Sequence, residues 1–84
     1  MERLLNTLAP GEKGTVTALH MPPGRADALL RLGLRPGAEI QLLRRSPLGD
    51  PAAYRFCGLT AALRAVDACC IRVQTEDGGE GAGA

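Results

Sequence analysis

Arg25-Ala26-Asp27-Ala28-Leu29-Leu30-Arg31-Leu32-Gly33-Leu34-Arg35-Pro36-Gly37-Ala38-Glu39-Ile40-Gln41-Leu42 holds a helix, its stop, a turn and a strand in one run. Spacing predicts a helix over Arg25–Leu32, with Ala26, Leu29, Leu30 and Leu32 on one face at three- and four-residue intervals. Gly33 reads as its left-handed cap, and Pro36-Gly37 as a turn. From Ala38 to Arg44 the period changes to two: Ala38, Ile40 and Leu42 point one way, Glu39, Gln41 and Leu43 the other. A helix this short does not hold alone in water, so it has to pack on the strands around it.

Those strands are legible on both sides. Thr15–Met21 is β-branched and apolar. Val16 and Leu19 share a face only if the strand carries a bulge. Pro10-Gly11 and Pro23-Gly24 read as further turns, and their unlike flanks exclude a repeat. After a longer turn at Ser46-Pro47-Leu48-Gly49-Asp50-Pro51, Ala53–Cys57 sets Tyr54 and Phe56 on one face. Thr60–Leu63 is a further strand, and Ala65–Ala68 a turn of helix. In the last strand Cys69, Ile71 and Val73 are expected inward, with Cys70, Arg72 and Gln74 outward. The expected fold is mostly β: an SH3-like barrel of about five short strands, with one short helix inserted after the first strand. Residues 1–74 form this domain, and the glycine-rich, acidic stretch 75–84 is expected to be disordered.

Composition narrows the function. The chain has 84 residues, one small domain with little room for a deep cleft. Aromatic residues make up 2%, too few for stacking platforms on single-stranded nucleic acid. Ten basic and nine acidic residues leave a net charge of +1, no footprint for a phosphate backbone or an anionic membrane. No apolar run approaches a membrane span, and Met1-Glu2-Arg3-Leu4-Leu5 is too short an apolar start for a signal peptide. Three cysteines, two of them adjacent, make no disulfide framework and suit a reducing, cytoplasmic compartment.

Leu8-Ala9-Pro10-Gly11-Glu12-Lys13-Gly14-Thr15-Val16, Leu29 to Ile40, Ser46 to Pro51 and Leu63 to Val73 together resemble the FeoA family, over roughly Leu5 to Val73. The resemblance implies an SH3-like barrel and an accessory role in bacterial ferrous iron uptake. The partner it implies is the cytoplasmic part of FeoB, a membrane iron transporter with a GTP-binding domain. The same domain also ends metal-dependent transcriptional repressors, a role expected here to require a separate DNA-binding protein. Asp67 stands where the family often has Glu, and the Cys69-Cys70 pair is not a typical family feature.

Catalytic chemistry finds no support. The sole histidine is His20, and no serine or cysteine sits in a nucleophile motif. Gly11-Glu12-Lys13-Gly14-Thr15 departs from the phosphate-loop pattern in spacing and order, and it precedes a strand rather than a helix. The protein is therefore read as a non-enzyme.

Metal binding is the alternative reading, with Fe²⁺ or another transition ion as primary ligand. Cys57, Cys69, Cys70 and His20 supply a Cys₃His set by count, but no C-x-x-C spacing exists. Neighbours on a strand face opposite ways, so Cys69 and Cys70 are not expected to share an ion. Cys69 is expected in the core, and Cys70 half exposed. Harder donors for a weak Fe²⁺ site are Glu39, Asp50, Asp67 and His20, which are scattered along the chain. No metal ligand is assigned.

A protein partner is the preferred reading. One Tyr and one Phe cannot line a polyproline groove, so the fold does not bring eukaryotic SH3 function with it. Leu43, Leu48 and Leu59 are apolar at positions expected outside the core. Leu48 sits at the tip of a loop stiffened by proline at both ends, which lowers the ordering cost of a contact. The candidate partner-binding residues are Leu48 and Asp50 in that loop, with Arg44, Arg45 and Arg55 as a basic patch beside it. An open sheet edge would also permit self-association.

Overall fold

The computed structural model describes residues 1–75. The chain order is β1 (Glu2–Leu4), a 3-10 turn (Leu5–Thr7), β2 (Lys13–Leu19), α1 (Pro23–Arg31), β3 (Glu39–Arg45), β4 (Ala52–Phe56), β5 (Leu59–Leu63), α2 (Ala65–Ala68) and β6 (Ile71–Gln74). All six strands belong to one antiparallel sheet in the order β1-β6-β2-β3-β4-β5. The sheet curls around a core of Leu5, Leu8, Val16, Leu29, Leu34, Ile40, Leu42, Tyr54, Phe56, Leu63, Ala68, Ile71 and Val73.

The decisive run folds as read. Leu34 N–H donates to the Leu29 carbonyl and Gly33 N–H to the Leu30 carbonyl, each at 3.0 Å. These two bonds define a Schellman ending, with Gly33 at φ +99° and the apolar pair Leu29 and Leu34 buried beneath it. Leu32 is exposed, because it is the helix C-cap and falls beyond the packed face. Pro36-Gly37 closes through Ala38 N–H to the Arg35 carbonyl at 2.9 Å, and β3 begins.

Two irregularities shape the sheet. Against β6, Val16 pairs with Val73 and Ala18 with Arg72, so Thr17 is the extra residue of the bulge that the Val16–Leu19 spacing demanded. Against β4, Leu42 pairs with Tyr54 and Arg44 with Ala53, which makes Leu43 a second bulge. The second bulge restarts the alternation. Arg44 sits opposite half-buried Ala53, while Arg45 sits opposite buried Ala52.

Five expectations need correction. There are six strands rather than five, and the helix follows the second. The missed strand, Glu2–Leu4, is an edge of three residues too short to carry a pattern, and β6 supplies its partner. Pro23-Gly24 is no turn: Pro23 opens α1 at its first position, where the missing N–H costs nothing. Cys69 is exposed rather than core, because it caps α2 and the strand starts only at Ile71. Leu59 is half-buried and packs on the core at the start of β5. Thr75, grouped by composition with the tail, is buried, and its N–H donates to the Met1 carbonyl at 2.8 Å. The expected disorder of 76–84 lies outside the described residues.

Candidate functional site

β3 and β4 are joined at one end by the loop 46–51, and β4 and β5 at the other by Cys57-Gly58. The loop presents Leu48 to solvent at 94% exposure, the most open large apolar side chain among the described residues. Its ends are held from three directions. Ser46 N–H donates to the Pro51 carbonyl at 3.1 Å, and Gly49 N–H to the Ser46 carbonyl at 2.8 Å. The Arg45 guanidinium donates to the Asn6 and Leu8 carbonyls, each at 2.9 Å. Asp50 Oδ1 accepts the Ala65 N–H at 2.8 Å, which ties the loop to the start of α2. The Asp50–Pro51 peptide is cis.

Beside the loop, Arg44, Pro47, Pro51, Ala53 and Ala62 line a shallow groove with a mostly apolar floor. Ala53 and Ala62 pair across β4 and β5 on the sheet's outer side. Neither was singled out by sequence reasoning. The signal was present: alanine at outward strand positions where polar residues are usual.

The five candidate residues thus divide by role. Leu48 and Arg44 are exposed at the loop and groove. Arg45 and Asp50 spend their polar atoms on anchoring the loop. Arg55 lies along β4, paired with Gln41, in a separate cleft with Lys13, Glu39 and Cys57 near the far end of the hairpin.

The segment on which Arg45 leans is itself braced. Glu12 accepts the Ala9 N–H at 2.9 Å and pairs with Arg3 at 2.6 Å. The Ala9 amide first, and Arg3 with it, holds the Glu12 carboxyl below its ordinary range. Asp67 is taken by Arg25, whose Nε donates to Oδ1 at 2.9 Å, clamping α1 to α2. Among the described residues, Glu39, Asp50, Asp67, His20 and the cysteines form no cluster of three metal donors. Nor is any described helix long and apolar enough to cross a membrane.

The architecture is that of an SH3-like barrel carrying one exposed, braced loop. Residues 3–75 match the FeoA domain family, and the chain belongs to that family of iron-uptake proteins. The solution structure of FeoA from Chlorobium tepidum is 34% identical, with a TM-score of 0.87 over 94% of this chain and 75% of that one. A crystal structure of an iron uptake regulatory protein (FeoA) is 30% identical, with a TM-score of 0.78 over 90% of this chain and 99% of that one. FeoA from Stenotrophomonas maltophilia, crystallised with zinc and described as a procaryotic SH3 domain protein, shares the fold at 24% identity, with a TM-score of 0.73 over 88% and 89% of the two chains. No curated relative matches the chain.

Proposed function

We propose that this protein is a cytoplasmic accessory factor that docks through its 46–51 loop on the GTP-binding domain of a FeoB-like ferrous iron transporter. It supports or regulates transport by binding one state of that partner better than another, and it catalyses no reaction of its own. The observation that carries the reading is Leu48. A single exposed leucine is ordinary, but this one crowns a loop pinned at both ends, and Ser46, Pro47 and Pro51 of that loop line an apolar groove. A pre-ordered loop loses little entropy on binding. Membership of the FeoA family favours this kind of partner. The Stenotrophomonas relative's suggested role, an activating factor for ferrous iron transport, points the same way.

The test is an amide chemical-shift titration with the isolated GTP-binding domain of the cognate transporter. Shifts are expected at Arg44, Leu48, Ala53 and Ala62, and Leu48→Asp should remove them while leaving the fold intact. Binding that survives Leu48→Asp, or a footprint centred elsewhere, would sink the proposal.

A further inference from the structure

Cys69 and Cys70 do not diverge as strand neighbours would. The α2 C-cap and the turn after it swing both side chains to one side, and their sulfurs lie 4.0 Å apart. Both thiols also face the same backbone oxygen, the Val66 carbonyl, at 3.5 and 3.6 Å. The Arg25 guanidinium donates to that carbonyl at 3.0 Å, and so stands beside the pair.

Three features of this arrangement point to a cation rather than a disulfide. With a zinc–thiolate bond of about 2.3 Å as a guide, two thiolates on one ion stand about 3.8 Å apart at a tetrahedral angle and about 4.6 Å apart when linear. The observed 4.0 Å is about 0.6 Å short of the linear span, so a small rotation of the two side chains would seat an ion between them. A disulfide, by contrast, requires Cα atoms ~4.4–6.8 Å apart, whereas neighbours across a trans peptide are held at ~3.8 Å. The pair is therefore biased toward the dithiol. Finally, carbonyls at a helix C-terminus disfavour a bare thiolate but favour a cation.

We propose that Cys69 and Cys70 form a two-coordinate site for a soft monovalent d¹⁰ ion, Cu(I). Soft thiolates select Cu(I) over the harder Fe²⁺. Among the described residues only these two sulfurs are in reach and no cluster of three donors forms, short of the four ligands that Zn²⁺ requires in structural sites. Binding replaces the two S–H protons with one Cu(I), forms two Cu–S bonds and releases two protons to solvent. No electron is transferred. The bis-thiolate carries one negative charge and lies beside the Arg25 guanidinium. Asp67 is engaged by that same arginine, and His20 reaches the pair only through its backbone, its N–H donating to the Cys70 carbonyl at 2.7 Å.

The experiment is an anaerobic titration of the full chain with Cu(I), competed by a bathocuproine chelator, with proton release followed in weak buffer. Uptake of one equivalent with two protons released is expected. Losing an outer-shell partner alone costs a metal site about 10–100-fold, so Cys69→Ser and Cys70→Ser should each weaken binding by more than about 100-fold. Cys69 is exposed and Cys70 half-buried, and serine is nearly isosteric with cysteine, so the melting temperatures should change little. Cys57→Ser, His20→Ala and Leu48→Asp should leave the affinity as it was. Retained affinity in either cysteine variant, loss in His20→Ala, or displacement of Cu(I) by equimolar Fe²⁺ would overturn the site.

Discussion

The two connections of strand β4 are built on opposite principles. At one end Cys57-Gly58 is as short as an antiparallel connection can be. Phe56 pairs with Leu59, and both turn residues take positive φ, +52° and +76°, the type I′ geometry that follows the sheet's own twist. The turn is tied back to the barrel: the exposed Cys57 Sγ donates to the Gly33 carbonyl at 3.2 Å, at the end of α1. At the other end the loop 46–51 is longer than pairing requires, needs braces from distant segments and puts its largest apolar side chain in water. The first connection serves the barrel. The second is held by the barrel with its tip left in solvent.

Breaking the compact end should cost the most. A Cβ on Gly33 would meet Cys57 Sγ at 2.8 Å, at a φ of +99° that disfavours any side chain. Gly33→Ala is expected to cost about 2 kcal/mol, lowering the melting temperature by roughly 10 °C for a domain of this size. In a Cys57→Gly background the steric part should vanish and only the backbone part remain. An equal penalty in both backgrounds would show that the two residues are not coupled.

The braces of the long loop come next. Arg45→Met removes both bonds to the Asn6 and Leu8 carbonyls and should cost about 1.5 kcal/mol. Arg44→Met, one residue away and exposed, should stay within about 0.5 kcal/mol. Equal effects in chemical denaturation would deny Arg45 its role as a strut. Asp50→Ala should cost about 1 kcal/mol, the usual value of a lost helix-start acceptor. It should also quicken hydrogen exchange at the Ala65 amide.

Smaller still is the pH effect at Glu12, which holds the segment beneath Arg45. Its folded-state pKa is lowered from 4.5, so its contribution is fully present above that value and is lost as pH falls through the folded-state pKa. Thermal melts from pH 7 to pH 3 should show the parent protein above Glu12→Gln at neutral pH, with the two converging in acid. Parallel curves would remove Glu12 from the account.

Local signals carried most of the fold. The Schellman ending was legible from Gly33 after Leu29 and Leu30, and the first bulge from the misfit of Val16 with Leu19. Long-range partnership was not legible. Strand β1 exists only because β6 offers an edge to Glu2–Leu4. The bulge at Leu43 is set by pairing with β4, and it separates the roles of Arg44 and Arg45, which look alike in sequence. Asp50 acts across the molecule on Ala65. The Cys69-Cys70 pair was read with strand alternation one turn too early, so two thiols on one side looked like two thiols on opposite faces. Leu48 was legible because its exposure needed no partner to predict: a leucine between Pro47 and Gly49 has nothing to pack on.

The smallest effect on stability falls on the residue with the most to do in the proposed contact. Leu48→Asp removes a side chain that is already 94% exposed, so the melting temperature should move by no more than the ±0.5 kcal/mol typical of surface changes. Arg55→Glu, at the far end of the hairpin beside the compact turn, should be equally silent in melting. The two should separate only when the transporter's GTP-binding domain is present. Leu48→Asp places a charge in what would be the dry centre of the contact, where an unpaired charge is strongly penalised, whereas Arg55→Glu changes a residue outside it. If Arg55→Glu weakens binding and Leu48→Asp does not, the two ends of β4 exchange roles, and the braced loop loses its claim to the partner.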